Sequence, residues 1–216
     1  MRKSIWLLIY SFVLVVWLCP VRAWAGPAID DGIQSARKMD SGHFSIFLSA
    51  GVDEDQLLKR LDIGPDHKIL AGQTLQGAVF SPGSLTDLLD ALFIWSCGVL
   101  DMNLYNYRGN IKIVKEPGQL GEVYLKLYGV PGHADKAFYI YETNTIYITE
   151  QDFTKEILGH EIAHAIISNF FVVQPPQKVA EVLAGYIEFQ LRKLGGNRPH
   201  LQTLTAGAVP AVTAGN

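Results

Sequence analysis

The sequence predicts an α+β domain: a small, mainly antiparallel sheet followed by two long helices. Three observations predict it. Short β-rich segments parted by turn dipeptides crowd residues 111–148, and two strong helical patterns fill most of residues 152–194. The chain of 216 residues, 49% of them hydrophobic, is also long enough for one well-cored domain and too short for two large ones.

The first segment stands apart. Met1, Arg2 and Lys3 make a basic start, Ile5 to Leu18 run uncharged and apolar, and Ala23, Trp24 and Ala25 form a small-x-small cleavage pattern before Gly26. Residues 1–25 are therefore expected to be a signal peptide cleaved after Ala25, which makes the protein secreted or periplasmic. The apolar run is shorter than the roughly 20 residues that span a bilayer, so membrane contact is expected only if this segment is retained. Its removal deletes three cations (Arg2, Lys3, Arg22) and no acid, moving the formal charge from −3 to −6. So acidic a chain has no electrostatic footing on a phosphate backbone, and nucleic acid is excluded as a partner. Cys97 is then the one cysteine left, too few for an internal disulfide, and its apolar helical setting beside Trp95 reads as a small buried hydrophobe.

Residues 26–40 are small and polar without a clear period and are expected to be a flexible lead-in to a domain spanning residues 41–196. His43 to Leu48 alternates as a strand. Asp53 to Leu61 follows as a short helix with Leu57, Leu58 and Leu61 on one side, and residues 62–83 read as loop. Ser84 is a natural N-cap for a helix to about Leu100, whose Leu85, Leu88, Leu89, Leu92 and Phe93 cover one face. Ile111 to Val114, Val123 to Tyr128, Ala137 to Tyr141 and Thr145 to Ile148 read as strands between turns at Pro117-Gly118, Pro131-Gly132 and Thr143-Asn144. The last two are joined by three residues, which forces antiparallel pairing. A long helix is expected from about Asp152 to Phe170, capped by Thr149 or Asp152 and stopped before Gln174-Pro175-Pro176. Pro176 suits the first turn of a second helix, about Gln177 to Leu194, which Gly195 and Gly196 end. Residues 197–216 carry Ala, Gly and Thr with almost no charge and are expected to be a flexible tail.

The first of these two helices carries the chemistry. Residues four apart on a helix differ by about 40° in direction, so His160 and His164 project from successive turns of one face. Two imidazoles can then meet one zinc ion, which takes neutral ring nitrogens at about 2.0–2.1 Å and, in a hydrolytic site, keeps one position for water. Glu161 lies beside the first ligand, where it can take the water proton as general base. Exposed histidines in a chance pattern are the bland alternative. Burying two histidines and a glutamate in a largely apolar helix is costly without a partner, however, and a metal supplies one.

With these residues the chain resembles the gluzincin-type zinc metallopeptidases, in particular their small peptidase MA-like domains. His160-Glu161-Ile162-Ala163-His164 matches the HExxH helix, and Glu181-Val182-Leu183-Ala184-Gly185-Tyr186 is similar to the family's E-G-L-A-E-Y element. His43 to Ile46 resembles the opening strand, Ile111 to Val114 the strand after the first long helix, and Asn144 to Ile148 the strand edge that holds substrate. The likeness covers about Ser41 to Leu194. Two features depart from the family: Val182 stands where glycine is usual, and little chain follows the second helix. The resemblance implies a zincin-like fold, with the active helix packed behind a small sheet, Zn²⁺ as cofactor, Glu181 as third ligand, and a peptide or protein substrate added to Thr145 to Ile148 as an extra strand.

Helix geometry bears on the third ligand. Glu156 precedes His160 by four residues on the same helix, which stretches a site instead of closing it. Glu188 lies seven residues beyond Glu181, about 10.5 Å along the axis, so both cannot reach one ion. Small Ala184 and Gly185 follow Glu181 on its face and are expected to let the helices approach closely, whereas Glu188 with Arg192 reads as a solvated ion-pairing face. Replacing Glu188 is accordingly expected to matter little. For the oxyanion donor Tyr186 is the first choice, among Tyr147, His133 and His200. The expected activity is peptide-bond hydrolysis. A metal-retaining binding module without turnover, or a zinc hydrolase of some non-peptide amide, is the alternative.

Overall fold

The computed structural model describes residues 31–63, 84–131 and 136–194. The expected signal segment, the start of the lead-in, most of the loop at 62–83, His133, His200 and the expected tail lie outside the described residues. The elements, in order, are β1 (Ser35–Asp40), β2 (Phe44–Ser49), α1 (Glu54–Leu61), α2 (Leu85–Leu100), β3 (Gly109–Val114), α3 (Pro117–Tyr128), β4 (Ala137–Ile140), β5 (Thr145–Thr149), α4 (Lys155–Phe170) and α5 (Gln177–Leu194). The α+β class is as expected.

The sheet is mixed, which corrects the expected mainly antiparallel pairing. Its order is β1-β2-β3-β5-β4, with β2, β3 and β5 parallel to their neighbours in the centre and β1 and β4 antiparallel at the edges. The two helices between β2 and β3 allow the parallel crossover that a tight turn forbids. Strand β5 is therefore interior and buried along its whole length, so Thr145 to Ile148 is not the free edge the sequence reading made it. That edge belongs to the four residues of β4.

Two more expectations change. Val123 to Tyr128 is part of helix α3, not a strand. Pro117 starts the helix, and the Gln119 side chain turns back to accept from the backbone N–H of Lys115 (3.1 Å) and Glu116 (3.0 Å). Its apparent alternation came from Val123, Leu125 and Leu127, of which Val123 alone is fully buried, together with Leu120 one turn earlier. The lead-in, in turn, supplies β1, and just before it Asp31 is anchored under the sheet by Lys112, by the Tyr147 hydroxyl at 2.7 Å and by the Ile33 N–H at 3.1 Å.

The sheet is covered on both faces. Ile111, Ile113, Ile146 and Ile148 point to the main core, shared with α1, α2, α4 and α5, while Val114, Ile140 and Tyr147 meet Leu120 and Val123 of α3 on the other. The alternation of adjacent strand residues between faces produces this division. Tyr147 thus belongs to the α3 side, where it holds Asp31. Helix α4 is capped by Thr154, whose hydroxyl accepts from the Ile157 N–H at 3.3 Å, two residues beyond the later of the two expected caps. Its end, and both ends of α5, fall where expected.

Candidate metal centre

Helices α4 and α5 form a hairpin around the Pro175-Pro176 break, and the buried face of α5 (Ala184, Ile187, Leu191) packs on α4. Gly159 lies at a close approach of the two helices: a Cβ there would overlap Leu191 Cδ1 and come within 3.3 Å of Ile187 Cγ2. Gly185, expected to play this part, would meet nothing within 4 Å. Small size is required on α4, one residue before the first histidine.

That approach brings three donors together. Nε2 of His160 and Nε2 of His164 are 3.2 Å apart, and the two carboxylate oxygens of Glu181 stand 3.6 Å from the first and 3.7 Å from the second. Donors at 2.0–2.1 Å from one tetrahedral ion are separated by about 3.3–3.4 Å, so the nitrogen pair, and each nitrogen with the carboxylate oxygen facing it, stand within a few tenths of an ångström of such an edge. The donor set, two imidazoles and one carboxylate, suits zinc, and within the described residues it is the one group of three or more His, Cys, Asp or Glu so arranged. Both rings are largely covered while the Glu181 side chain is half exposed, which opens the site to solvent on the α5 side. Burial and the neighbouring His160 ring, opposed by Glu181, hold the His164 pKa below its usual value, keeping a lone pair free for a cation.

Glu161 points from the same turn toward the sheet and is 8% exposed. Burial, then the charge of Glu181, push its carboxyl up to about 8; the Tyr139 backbone N–H on edge strand β4 pulls the other way, and Glu188 adds a smaller push upward. A buried carboxyl with raised proton affinity, one residue from a candidate metal-holding histidine, is suited to general-base work once a neighbouring cation keeps it ionised.

Two contributions escaped the sequence reading. Glu188 Oε2 lies 3.4 Å from His160 Nδ1, a buried ring nitrogen without a well-formed hydrogen bond among the described residues, and Glu188 also pairs with Arg192 one turn on. Glu188 is thus not simply a solvated residue. It stands where a carboxylate can fix the tautomer that presents Nε2 to a metal, and its seven-residue offset from Glu181, which returns it to the same helix face, was the available signal. Tyr139 is the second, through its backbone. Tyr186, the expected oxyanion donor, is turned about 140° from Glu181 by five residues of helix and stands 46% exposed. Tyr147 is on the far face of the sheet, away from the donor cluster.

No family model matches the chain, and no curated protein or solved structure matches it.

Proposed function

We propose that the chain is a zinc-dependent peptidase of gluzincin type, acting outside the cytoplasm as the basic-apolar start of the sequence suggests. The observation that carries this reading is the convergence of His160, His164 and Glu181 beside a buried glutamate with a raised pKa. Bound there, a divalent ion supplies Lewis acidity, bringing the pKa of a water toward about 7 and polarising a carbonyl. His160 and His164 present neutral nitrogens, and Glu188 orients the first of them. Glu161 takes a proton on its carboxylate and returns it to the departing amine nitrogen. Strand β4 supports a peptide substrate, since its outer edge has no strand partner among the described residues and lies beside Glu161; backbone groups at strand spacing hold an extended chain with little regard to side chains.

The test is metal analysis combined with cleavage of an unfolded protein. The chain is expected to bind about one zinc, to cleave in a chelator-sensitive way, and to lose at least about 10²-fold of the rate in Glu161→Gln while keeping the metal. No bound zinc, or full activity in that variant, defeats the reading. The positions of Tyr147 and Tyr186 favour a second one, a metal-retaining binding module without turnover. Stoichiometric zinc with no cleavage of any peptide would select it.

A further inference from the structure

A cavity of about 440 Å³ lies beyond the turn that joins β4 to β5, lined by Asn103, Tyr105, Arg108, Asn144 and Asn169 among others, none of them acidic. Its position ties it to the reaction centre. Asn169 is on α4, eight residues after Glu161, or about 12 Å along the axis at 1.5 Å per residue. Tyr139 links the two: its backbone N–H meets Glu161, while its hydroxyl donates to Asn144 Oδ1 at 2.9 Å and accepts from Asn169 Nδ2 at 3.1 Å. A peptide laid along β4 is led past Ile140 to the turn that ends in Asn144, and so to this cavity.

The lining separates into a frame and a set of free donors. Asn144 is fully used, accepting also from the Tyr107 hydroxyl at 3.0 Å and donating to the Arg108 carbonyl at 2.6 Å, which its left-handed backbone (φ 47°) permits. Arg108 spends one guanidinium nitrogen on the Ser41 carbonyl at 2.7 Å, and the others make no hydrogen bond among the described residues. Asn103 and Asn106 are exposed and make no side-chain hydrogen bond among the described residues. One guanidinium and two amides, with no acid in the lining, form a cluster of donors on a chain whose net charge is negative, and Asp40 is close enough for its carboxyl to feel the Arg108 charge from outside the cavity. A carboxylate meets those donors best, because guanidinium hydrogen bonds to it are charge-assisted.

We propose that this cavity is a remote substrate subsite that takes a carboxylate carried three to four residues from the cleaved bond. The distance follows from about 12 Å divided by the 3.3–3.4 Å rise of an extended chain. The inference rests on the peptidase reading and names a substrate class for it: peptides with an acidic side chain, or a free C-terminus, at that spacing.

The experiment has a cleavage arm and a binding arm. The zinc-loaded chain is given a mixed library of unstructured peptides and the cut sites are read by mass spectrometry. Glu161→Gln is titrated with paired peptides that differ as Glu against Gln, or as free acid against C-terminal amide, while side-chain Nε and amide resonances of Arg108, Asn103 and Asn106 are followed by NMR. Acidic groups are expected to be enriched three to four residues from the cut and to bind about tenfold more tightly than their neutral partners. The preference should vanish in Arg108→Gln, which keeps hydrogen-bond donors, and turn toward Lys and Arg in Arg108→Glu. The two peptide pairs tell a side-chain carboxylate from a terminal one. Cut sites without acidic enrichment, or equal binding of the paired peptides, overturn the subsite and leave the peptidase standing. Discriminating binding at Arg108 without any cleavage overturns the peptidase, and with it the subsite, and leaves a carboxylate-binding cavity.

Discussion

Gly159→Ala adds one methyl group where the two helices that carry the candidate metal donors touch. The new carbon would stand closer than 3.0 Å to Leu191 Cδ1, with Leu191 Cγ at 3.7 Å and Ile187 Cγ2 at 3.3 Å. Leu191 and Ile187 are both fully buried, so the clash cannot be relieved into solvent. Rotation of the Leu191 side chain can take up part of the overlap, but its burial limits that movement, so restoring carbon contacts to about 3.5–4.0 Å is expected to push α5 back by something on the order of 1 Å. Glu181 moves with the helix. Its oxygens are 3.6 and 3.7 Å from the histidine nitrogens, and two donors at 2.1 Å cannot be more than about 4.2 Å apart even on opposite sides of one ion. Such a retreat therefore takes Glu181 out of reach, and zinc affinity should fall at least about tenfold, or about 1.4 kcal/mol. Overpacking costs about 1–3 kcal/mol, and exchanging a helical glycine for alanine returns about 1 kcal/mol, so the metal-free fold should lose only up to about 2 kcal/mol. Leu191→Ala alone should cost about 2–5 kcal/mol through its cavity, and the double variant should regain zinc affinity because the methyl group then has room. The assays are competitive zinc titration and urea unfolding of the four proteins. Parent-like zinc affinity in Gly159→Ala, together with a gain in stability, would refute the close-approach argument.

Two other perturbations test roles proposed above. Glu181→Ala should lower zinc affinity by an order of magnitude or more, and Glu188→Gln by about 10-fold to 100-fold because it weakens the orientation of His160; a Glu188 variant indistinguishable from the parent in the same titration would return that residue to the solvated role first expected of it. Asp31 should govern acid stability. Burial raises its pKa, but the hydrogen bonds from Lys112, Tyr147 and the Ile33 N–H outweigh it, leaving the carboxyl below its usual 3.8. A depressed folded pKa contributes stability that is present above about pH 4 and lost as pH falls through the lower folded value. Asp31→Asn should thus cost about 2–4 kcal/mol at pH 7, leaving Lys112 unpaired, and progressively less below pH 3; an equal difference at both pH values in urea unfolding counts against the assignment.

What was legible in the sequence was what local pattern controls. Helices α4 and α5 could be placed because their apolar period is long and the breakers between them are strong, and the two histidines of the centre follow from 3.6 residues per turn alone. Glu181 needed the resemblance as well. Strand β1 could not be read, since Ser35 to Asp40 is almost wholly exposed and exists through backbone pairing with β2, which leaves no apolar alternation. The interior position of β5 depends on which strands neighbour it, a property of topology that four or five residues do not encode. Tyr139 contributes a backbone N–H, invisible to any reading of side chains. Gly159 was hidden for a related reason: a missing Cβ acquires meaning only when Leu191 is seen against it.

The short connection between α4 and α5 has a consequence for how the centre comes into being. All three donors fall within residues 160–181, on two helices that follow one another directly. The sheet must bring together strands from distant parts of the chain, a slow search, whereas a helical hairpin closes a short loop and pays little entropy to do so. The donors can therefore meet while the rest of the domain is still unformed, and an ion captured at that stage acts as a staple on the nascent hairpin. Metal would then enter the kinetics of folding, hastening the step in which α5 docks, as well as the chemistry of the finished protein.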